Sequence, residues 1–304
     1  MIPKQNENQT EIFSVLGLLK QGKFPICLVS SKSSQKIYAL KLFPYQNEEP
    51  NQYYLNEKKF TFLKHESIIA FLNSQDHQLL VHEGFIIKVS YILMELAPYG
   101  DFYDFVVNRR MTDEILIRTY FHQLIEGLEY MHNNGVAHLD LKLQNMLIGE
   151  NFHLKIADFD LAWSHDCNIP VTRQGTLHYR APEVVYDSVK DPMAADIYSA
   201  GIILFVLKTN GTMPFTEEGD TEDKQLFALF LLKDPAFWEQ HAQIQNQSAN
   251  FFDKDFRELF YMMTNLEPSK RAKIKEIKNS AWYKGPIYNQ KELKYIMEAK
   301  LKIN

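Results

Sequence analysis

The chain has 304 residues, of which 45% are hydrophobic, and a formal net charge of −5 at pH 7. A chain of this length is too long for one small core and is typical of one large domain or two lobes. The slightly acidic balance argues against nucleic acid as a bulk partner.

Cysteine usage and hydropathy limit the environment of the protein. The two cysteines, Cys27 and Cys167, lack the spacing of a zinc site and indicate a reducing compartment. The sequence starts without the basic and apolar regions of a secretory signal. Its longest apolar run, Ala200 to Leu207, is too short to cross a membrane. We therefore expect a cytoplasmic or nuclear protein that binds neither membrane nor nucleic acid.

The first third of the chain has the pattern of strands with one helix. Two β-rich runs are joined by a Ser/Lys turn, and two further strands follow, the second of which ends at residue 95. Between the two pairs, a stretch with Tyr53, Phe60 and Leu63 on one side predicts a helix. The predicted segments are Ile26–Val29, Ile37–Phe43, a helix within 51–65, and a last strand at Ser90–Glu95.

After residue 95 the pattern becomes helical. Apolar residues at helical spacing predict a long helix that ends at Gly135, and a strongly apolar helix follows within 193–211. A third helix is expected to end at Pro268. A basic amphipathic helix is predicted within 289–303, and we expect it to pack on its own lobe. Capping an oligomer and binding a partner groove remain alternatives for it. The apolar positions are Leu116, Tyr120, Leu124, Leu128 and Met131 in the long helix, and Leu293, Ile296, Met297 and Leu301 in the last.

The stretch HLDLKLQN, His138–Asn145, follows the end of the long helix and is predicted to be a loop. Residues two apart in an extended loop can face one side, so Asp140 and Lys142 can share a site with Asn145 near them. A carboxylate can accept the proton of an attacking hydroxyl, and an ammonium can neutralise a phosphate oxygen. Asn145 and Asp158, the latter in ADFDLA, are oxygen ligands suited to Mg²⁺. Together they supply what phosphoryl transfer needs.

The order of these motifs resembles that of eukaryotic protein kinases over about residues 12–284. The resemblance implies an α+β bilobal kinase fold, with a small N-terminal antiparallel β-sheet lobe containing one helix and a larger, mainly helical C-terminal lobe. It implies that ATP and Mg²⁺ serve to phosphorylate serine or threonine hydroxyls of a protein substrate. Lys142 and Gly175-Thr176 resemble the residues that serine/threonine kinases have at these positions, and the sequence as a whole is similar to calmodulin-dependent kinases. The implied domains are a tail at 1–11, a kinase domain at 12–284 with lobes at 12–95 and 96–284, and a helical extension at 285–304.

The resemblance also assigns roles to single residues. In the catalytic loop, Asp140 is the implied base and Lys142 the phosphate contact, and Asn145 and Asp158 are the implied metal ligands. Asp196 would hold the catalytic loop, and Arg271 would pair with Glu183 of GTLHYRAPE. The implied nucleotide-binding residues are Lys41 for the α- and β-phosphates, Glu57 as its partner, Gly22 in the phosphate loop, Met94 as gatekeeper, Glu95 and Ala97 as backbone contacts of adenine, Asp101 near the ribose, and Leu19, Cys27, Ala39 and Leu147 around the adenine.

Several positions depart from the family pattern. Lys20 and Pro25 stand where the phosphate loop would have glycines, which predicts a weaker grip on nucleotide. Asp160 replaces the glycine of the metal motif, a position where φ above zero is easier for glycine. Leu139 replaces the arginine that would gather a phosphate on the activation loop. We therefore predict little dependence on activation-loop phosphorylation, for which Thr172 is the nearest candidate site.

These departures leave two rival functions open. One is a pseudokinase that binds nucleotide or serves as a scaffold, and Pro25, Asp160 and Leu139 support it. The other is a small-molecule kinase of similar architecture. GTLHYRAPE argues against the latter, because it resembles the platform that receives a polypeptide. The intact set Lys41, Asp140, Asn145 and Asp158 favours an active protein kinase.

Overall fold

The structure, a computed structural model, describes residues 12–82, 85–109, 113–166, 171, 174–186, 189–215 and 227–301. The chain divides into two compact units. The first contains the chain up to Lys64 together with Ile69–Ala97, and the second contains His65–Ile68 and the chain from Pro98 onwards. The short segment His65–Ile68 belongs to the second unit because Ser67 bonds His153 over 3.1 Å and Ile68 bridges Ile156.

The first unit is built on one five-stranded sheet in which every neighbouring pair is antiparallel. Alternate residues of the central strands face one core, as the two-residue period of a strand requires. This core contains Cys27, Val29, Leu40, Leu42, Val89 and Leu93. The strands are β1 (Phe13–Lys20), β2 (Ile26–Ser31), β3 (Ile37–Pro44), β4 (Phe71–His82) and β5 (Phe85–Met94), in the order β1-β2-β3-β5-β4.

The helix of the first unit is shorter than the sequence pattern predicts. Helix α1 covers Gln52–Glu57, begins at the cap Asn51 and passes into a 3₁₀ turn at Lys58–Phe60. A 3₁₀ turn advances by about 120° per residue instead of about 100°. The prediction that Tyr53 shares one face with Phe60 and Leu63 is therefore wrong. Tyr54 is fully buried with Phe60 and Leu63, whereas Tyr53 is half-buried.

The second unit is mainly helical. Helix α3 (Glu114–Asn133) buries its predicted apolar positions, and α5 (Pro192–Lys208) is buried along nearly its whole length. The third predicted helix ends at Met263 rather than at Pro268, because the Thr264 hydroxyl and N–H both donate to the Phe260 carbonyl and close the last turn. The unit also contains the helices α2 (Phe102–Arg109), α4 (Pro182–Val185), α6 (Pro235–Ile244), α7 (Lys254–Met263), α8 (Ile274–Asn279) and α9 (Gln290–Leu301).

Two short ribbons lie beside α3 and α5 in the second unit. Strand β6 (Val136–Ala137) pairs with β9 (Trp163–Ser164), and β7 (Met146–Ile148) pairs with β8 (Leu154–Ile156). Both pairs are antiparallel. The β6–β9 pair brackets the stretch from Leu139 to Asp158 that carries the predicted catalytic residues, and the β7–β8 pair lies within that stretch.

The C-terminal helix α9 packs on its own unit. Leu293 and Met297 are buried, and the side chain of Gln290 donates to the Asn151 carbonyl over 2.6 Å. Just before the helix, the Tyr288 hydroxyl donates to Asp113 over 2.7 Å. The preferred expectation for this helix is therefore confirmed.

The predicted fold class, an antiparallel-sheet lobe with one helix and a larger helical lobe, is confirmed. The predicted tail at 1–11 lies outside the described residues. None of the helices in the described part of the chain is long and apolar enough to span a membrane.

Candidate active site

A buried carboxylate fixes the start of the predicted catalytic loop. Asp196 of α5 is 0% exposed and accepts the backbone N–H groups of His138 over 2.8 Å and Leu139 over 2.9 Å. His132, in the last turn of α3, donates from Nε2 to the same carboxylate over 3.0 Å. These bonds hold Leu139 at φ 62°, a conformation that costs a non-glycine residue free energy. The role predicted for Asp196 in holding this loop is present in the geometry.

Asp140 lies directly after this bend in a network of donors. Lys142 Nζ and Asn145 Nδ2 donate to Asp140 Oδ2 over 2.7 and 2.9 Å, and the Thr176 hydroxyl donates to Oδ1 over 2.8 Å. Lys142 Nζ also donates to Thr176 Oγ1 over 2.7 Å. The structure therefore brings Asp140, Lys142 and Asn145 together, as the spacing predicts.

Thr176 is a member of this network that sequence reasoning missed. The sequence signal for Thr176 is its position directly after Gly175 in the GTLHYRAPE motif. That position alone indicates similarity to serine/threonine kinases and does not predict a contact with Asp140. Its hydroxyl bridges Asp140 and Lys142 and thus links the activation segment to the catalytic loop. A carboxylate held by three donors is fixed in orientation and can accept a further hydrogen bond from a hydroxyl group.

The β7–β8 ribbon brings the two predicted metal ligands to neighbouring positions. Met146 pairs with Ile156, and the Ala157 N–H donates to the Asn145 carbonyl over 2.9 Å at the end of the ribbon. Asp158 is the next residue along the chain and has φ 72°. The Asn145 side chain donates from Nδ2 to Asp140, while its Oδ1 is buried and accepts no hydrogen bond within the described part of the chain.

His138 packs against the segment that follows β8. Its Nε2 bonds the Ala157 carbonyl over 3.0 Å, and its ring centroid lies 4.9 Å from that of Phe159. His138 and Phe159 are both 0% exposed. The prediction that His138 serves in packing and hydrogen bonding beside Phe159 is confirmed.

Gly175 and Arg180 shape the turn that presents Thr176. Gly175 has φ 86°, and a Cβ on it would lie 2.3 Å from the Leu139 carbonyl oxygen, so only glycine fits. The Arg180 guanidinium donates from Nε to the Gly175 carbonyl over 2.8 Å and from Nη2 to the same oxygen. Sequence reasoning missed this role of Arg180, which holds the turn from outside the catalytic loop.

The end of the activation segment is anchored by a buried ion pair. Arg271 Nη1 and Nη2 donate to the two oxygens of Glu183 over 2.6 and 3.0 Å, and Nη1 also donates to the Ala194 carbonyl over 2.7 Å. The side chains of Arg271 and Glu183 are 0% and 5% exposed. The predicted pairing of these residues is therefore formed.

In the first unit, Lys41 of β3 and Glu57 of α1 form a buried ion pair. Lys41 Nζ donates to Glu57 Oε2 over 2.7 Å, and the side chains are 4% and 0% exposed. Burial of two charges is tolerated because they pair with each other at hydrogen-bonding distance. The helix partner that the sequence predicted for Lys41 is thus present.

The residues predicted to surround adenine lie along strands of the first unit, except for Leu147, which lies on β7 of the second unit. Ala39 of β3 is paired with Met94 of β5, and both are buried, whereas Leu19 of β1 is 49% exposed. Cys27 of β2 is also buried, and burial raises the pKa of its thiol. The Glu95 N–H donates to the Ala70 carbonyl over 3.0 Å, so an adenine contact of Glu95 would use its carbonyl oxygen.

The remaining predicted nucleotide contacts are Asp101, Gly22 and Ala97. Asp101 accepts the Asp104 N–H over 2.9 Å at the start of α2 and forms a bridge with Leu147 of β7. A Cβ added at Gly22 would meet no atom within 4 Å. Ala97 is the last residue of the first unit. Their part in nucleotide binding stays a prediction.

The departures from the family pattern have distinct structural outcomes. Asp160 does not require φ above zero, because the left-handed conformation in this motif falls on Asp158. Leu139 is 6% exposed and places an apolar side chain where the family has a cation. Thr172 and Cys167 lie outside the described residues.

Comparison with known proteins agrees with this geometry. The family model of the protein kinase domain matches residues 13–283. CBL-interacting protein kinase 26 of Oryza sativa subsp. japonica is 35% identical over 199 residues, which are 64% of this chain and 37% of the relative. CBL-interacting serine/threonine-protein kinase 20 of Arabidopsis thaliana is 31% identical over 226 residues, which are 73% of this chain and 48% of the relative.

A third similar protein is CBL-interacting protein kinase 9 of Oryza sativa subsp. japonica, 32% identical over 238 residues, which are 76% of this chain and 47% of the relative. The chain spans less than half of the length of these curated relatives. The family model, in contrast, covers nearly the whole chain. The chain therefore belongs to the protein kinase domain family.

Proposed function

We propose that this protein transfers the γ-phosphoryl group of ATP to serine or threonine hydroxyls of protein substrates. The observation that carries the proposal is the network around Asp140, in which Lys142, Asn145 and Thr176 fix both carboxylate oxygens. Phosphoryl transfer asks the protein for positioning and charge stabilisation rather than covalent chemistry. A carboxylate and an ammonium fixed 2.7 Å apart supply both at one place.

Asp140 orients the attacking hydroxyl and accepts its proton. Thr176 occupies one direction of Oδ1, and a carboxylate oxygen has a second lone pair that can accept from a substrate hydroxyl. Lys142 donates two of its three N–H groups to Asp140 and Thr176 within the described part of the chain. Its third N–H can be donated to the transferring phosphoryl group, whose negative charge it stabilises.

The Lys41–Glu57 pair prepares a cation for the α- and β-phosphates. Glu57 holds the Lys41 ammonium in one position, so that its orientation is set before nucleotide binds. Around the adenine we propose Leu19, Cys27, Ala39, Met94 and Leu147 as apolar contacts, Glu95 and Ala97 as backbone contacts, Asp101 at the ribose and Gly22 at the phosphates.

Membership of the family implies a divalent cation, and we propose Mg²⁺ held by Asn145 and Asp158. The buried Oδ1 of Asn145, which accepts no hydrogen bond within the described part of the chain, fits this assignment because a carbonyl oxygen is a ligand that Mg²⁺ prefers. The Asp158 carboxylate would supply the second protein ligand. When bound, the cation neutralises the phosphate oxygens and orients them.

Protein substrates and weak dependence on phosphorylation are further parts of the proposal. The GTLHYRAPE segment supports a protein substrate, and so does the similarity to plant relatives that include a serine/threonine-protein kinase. Because Leu139 provides no cation for a phosphate, the Thr172→Ala variant is expected to keep most of its activity. Abolished activity of that variant with an intact fold would contradict this part.

We also place the protein in the cytoplasm or nucleus. Cys27 is a free, buried thiol, as is usual in reducing compartments. Imaging of a fluorescent fusion in cells would test the assignment, and a fusion confined to the secretory pathway would overturn it.

The activity is tested by ATP- and Mg²⁺-dependent phosphorylation of generic protein substrates, with Asp140→Asn as the paired control. We expect turnover that falls by at least about a hundredfold in the variant while its thermal unfolding is preserved. Phosphorylation resistant to this change would overturn the role of Asp140. Nucleotide binding without turnover in the unchanged protein would instead indicate a nucleotide-binding scaffold.

A further inference from the structure

The connection between β1 and β2 is held by side chains rather than shaped by glycines. Lys20 pairs with Ile26, so residues 21–25 form the turn that would lie at the nucleotide phosphates. Pro25 has no N–H to offer, and its carbonyl accepts the Leu42 N–H over 2.9 Å, which fixes one end of the turn. A turn with a fixed end and few glycines depends on its other side chains for position.

Two residues of this turn pack on one tyrosine of α1. The Lys23 ammonium lies 3.4 Å from the centroid of the Tyr53 ring, a cation–π contact. The Phe24 ring lies 5.3 Å from the Tyr53 ring and 4.8 Å from the Phe43 ring of β3. Tyr53 therefore contacts both Lys23 and Phe24.

The same helix also carries the partner of Lys41. Asn51 accepts the Tyr53 N–H over 2.9 Å and starts α1. Tyr53 and Glu57 are four residues apart and so lie on the same face of the helix. One face of α1 thus holds the turn through Tyr53 and the Lys41 ammonium through Glu57. The Phe24 ring lies 5.7 Å from Lys41 Nζ and completes the cluster.

We propose that Tyr53 is a positioning residue for nucleotide binding. Its ring holds the turn at 21–25 against α1 through contacts with Lys23 and Phe24. The inference rests on the proposed function, because it concerns the turn that would cover the ATP phosphates. A turn that is ordered before binding spares the nucleotide the entropy cost of ordering it. In this chain the contacts of Tyr53, rather than the backbone conformations of glycines, order the turn before nucleotide binds.

The test compares Tyr53→Leu, which removes the ring, with Tyr53→Phe, which keeps it. Leucine forms helices at least as readily as tyrosine, so the first change leaves the helical tendency of α1 intact. The Tyr53 hydroxyl makes no hydrogen bond that the described structure shows, so phenylalanine is the conservative variant. Tyr295→Leu is the matched control, since Tyr295 is 72% exposed on α9 of the second unit.

Two measurements are made on the full chain. Hydrogen–deuterium exchange of the peptide covering 20–27 is followed without nucleotide, and the Kd of a fluorescent ATP analogue is measured together with KM for ATP and kcat. Tyr53→Leu should exchange faster over 20–27 and raise Kd and KM by about fivefold, the loss expected for a cation–π contact and one aromatic pair. Its kcat should change by less than about twofold, because the Lys41–Glu57 pair is untouched. Lys23→Met should shift Kd and KM in the same direction by less.

Tyr53→Phe and Tyr295→Leu should match the unchanged protein in all of these quantities. Unaltered exchange and Kd in Tyr53→Leu would overturn the proposal. A fall in kcat with unaltered Kd would overturn it as well, since it would show that Tyr53 acts only through the structure of α1. If the unchanged protein binds nucleotide but phosphorylates nothing, the proposed function fails while exchange and Kd still decide on Tyr53.

Discussion

The most informative perturbation is Asp196→Asn, because the Asp196 carboxylate fixes the catalytic loop from a fully buried position. Oδ1 accepts the Leu139 N–H, and Oδ2 accepts the His138 N–H and His132 Nε2–H. Asparagine has one acceptor oxygen and one NH₂ group. In either orientation the NH₂ group faces at least one of these buried donors and leaves it unsatisfied.

The cost follows from this count of hydrogen bonds. One unsatisfied buried donor costs about 1–3 kcal/mol, and the remaining bonds lose the strength that the charged acceptor gave them. We expect the second unit to lose about 3 kcal/mol, which for a unit of this size lowers Tm by about 6–12 °C. Because the bend at Leu139 positions Asp140, kcat should also fall by about tenfold or more.

Denaturation followed by tryptophan fluorescence reports on this unit directly. All three tryptophans, Trp163, Trp238 and Trp282, lie in the second unit. The matched control is Asp191→Asn at the N-cap of the same helix, where Asp191 accepts the Met193 and Ala194 N–H groups. Asparagine caps as well as aspartate, so this control should stay within about 0.5 kcal/mol of the unchanged protein. Equal stability of the two variants would refute the reasoning.

Three further predictions concern the same unit. Gly175→Ala should lower kcat by about a hundredfold, because its Cβ would collide with the Leu139 carbonyl and displace the turn. Arg271→Lys should destabilise the unit by about 3 kcal/mol in urea denaturation, since one ammonium cannot replace the paired bonds to buried Glu183. His241→Gln should flatten the loss of stability between about pH 7 and about pH 5, by up to about 1.4 kcal/mol per pH unit.

The sign of the pH effect follows from the burial of His241. Burial lowers its pKa, its Nε2–H donates to the Pro214 carbonyl over 2.8 Å, and its buried Nδ1 has no hydrogen-bond partner within the described residues. The unfolded chain takes up a proton on this histidine below its usual pKa, whereas the folded chain does not. Stability from His241 is therefore present above that pKa and is lost as the pH falls. An unchanged slope in His241→Gln would contradict this account.

The other two predictions have matched controls. Gly100→Ala also places a side chain at positive φ, 77°, but meets no atom within 4 Å, so it should retain kcat within a fewfold. An equal loss of kcat in both glycine variants would show that the collision at Gly175 is not the cause. Lys270→Met removes an exposed ion pair with Glu267 and should cost less than about 1 kcal/mol. The loss of stability in Arg271→Lys should be clearly larger than that in Lys270→Met. Similar losses in the two variants would contradict the argument from the buried ion pair.

The sequence by itself determined the fold class and the local chemistry of the catalytic loop. Strands and helices have different hydrophobic periods, which is why β2, β3, α3 and α5 could be predicted close to their observed bounds. Spacing in HLDLKLQN also predicted that Asp140, Lys142 and Asn145 share a site, since residues so close along the chain cannot lie far apart. Motif resemblance added the pairs Lys41–Glu57 and Arg271–Glu183.

Only the tertiary structure decided the contacts between segments that are distant along the chain. Nothing local to Thr176 shows that its hydroxyl bridges Asp140 and Lys142, and nothing local to Tyr53 shows that it receives Lys23. The 3₁₀ turn at Lys58–Phe60 aligned Phe60 and Leu63 with Tyr54 rather than with Tyr53, which a regular helical period could not predict. Such contacts depend on how packed elements close on one another, and a pattern within one element carries no record of its neighbours.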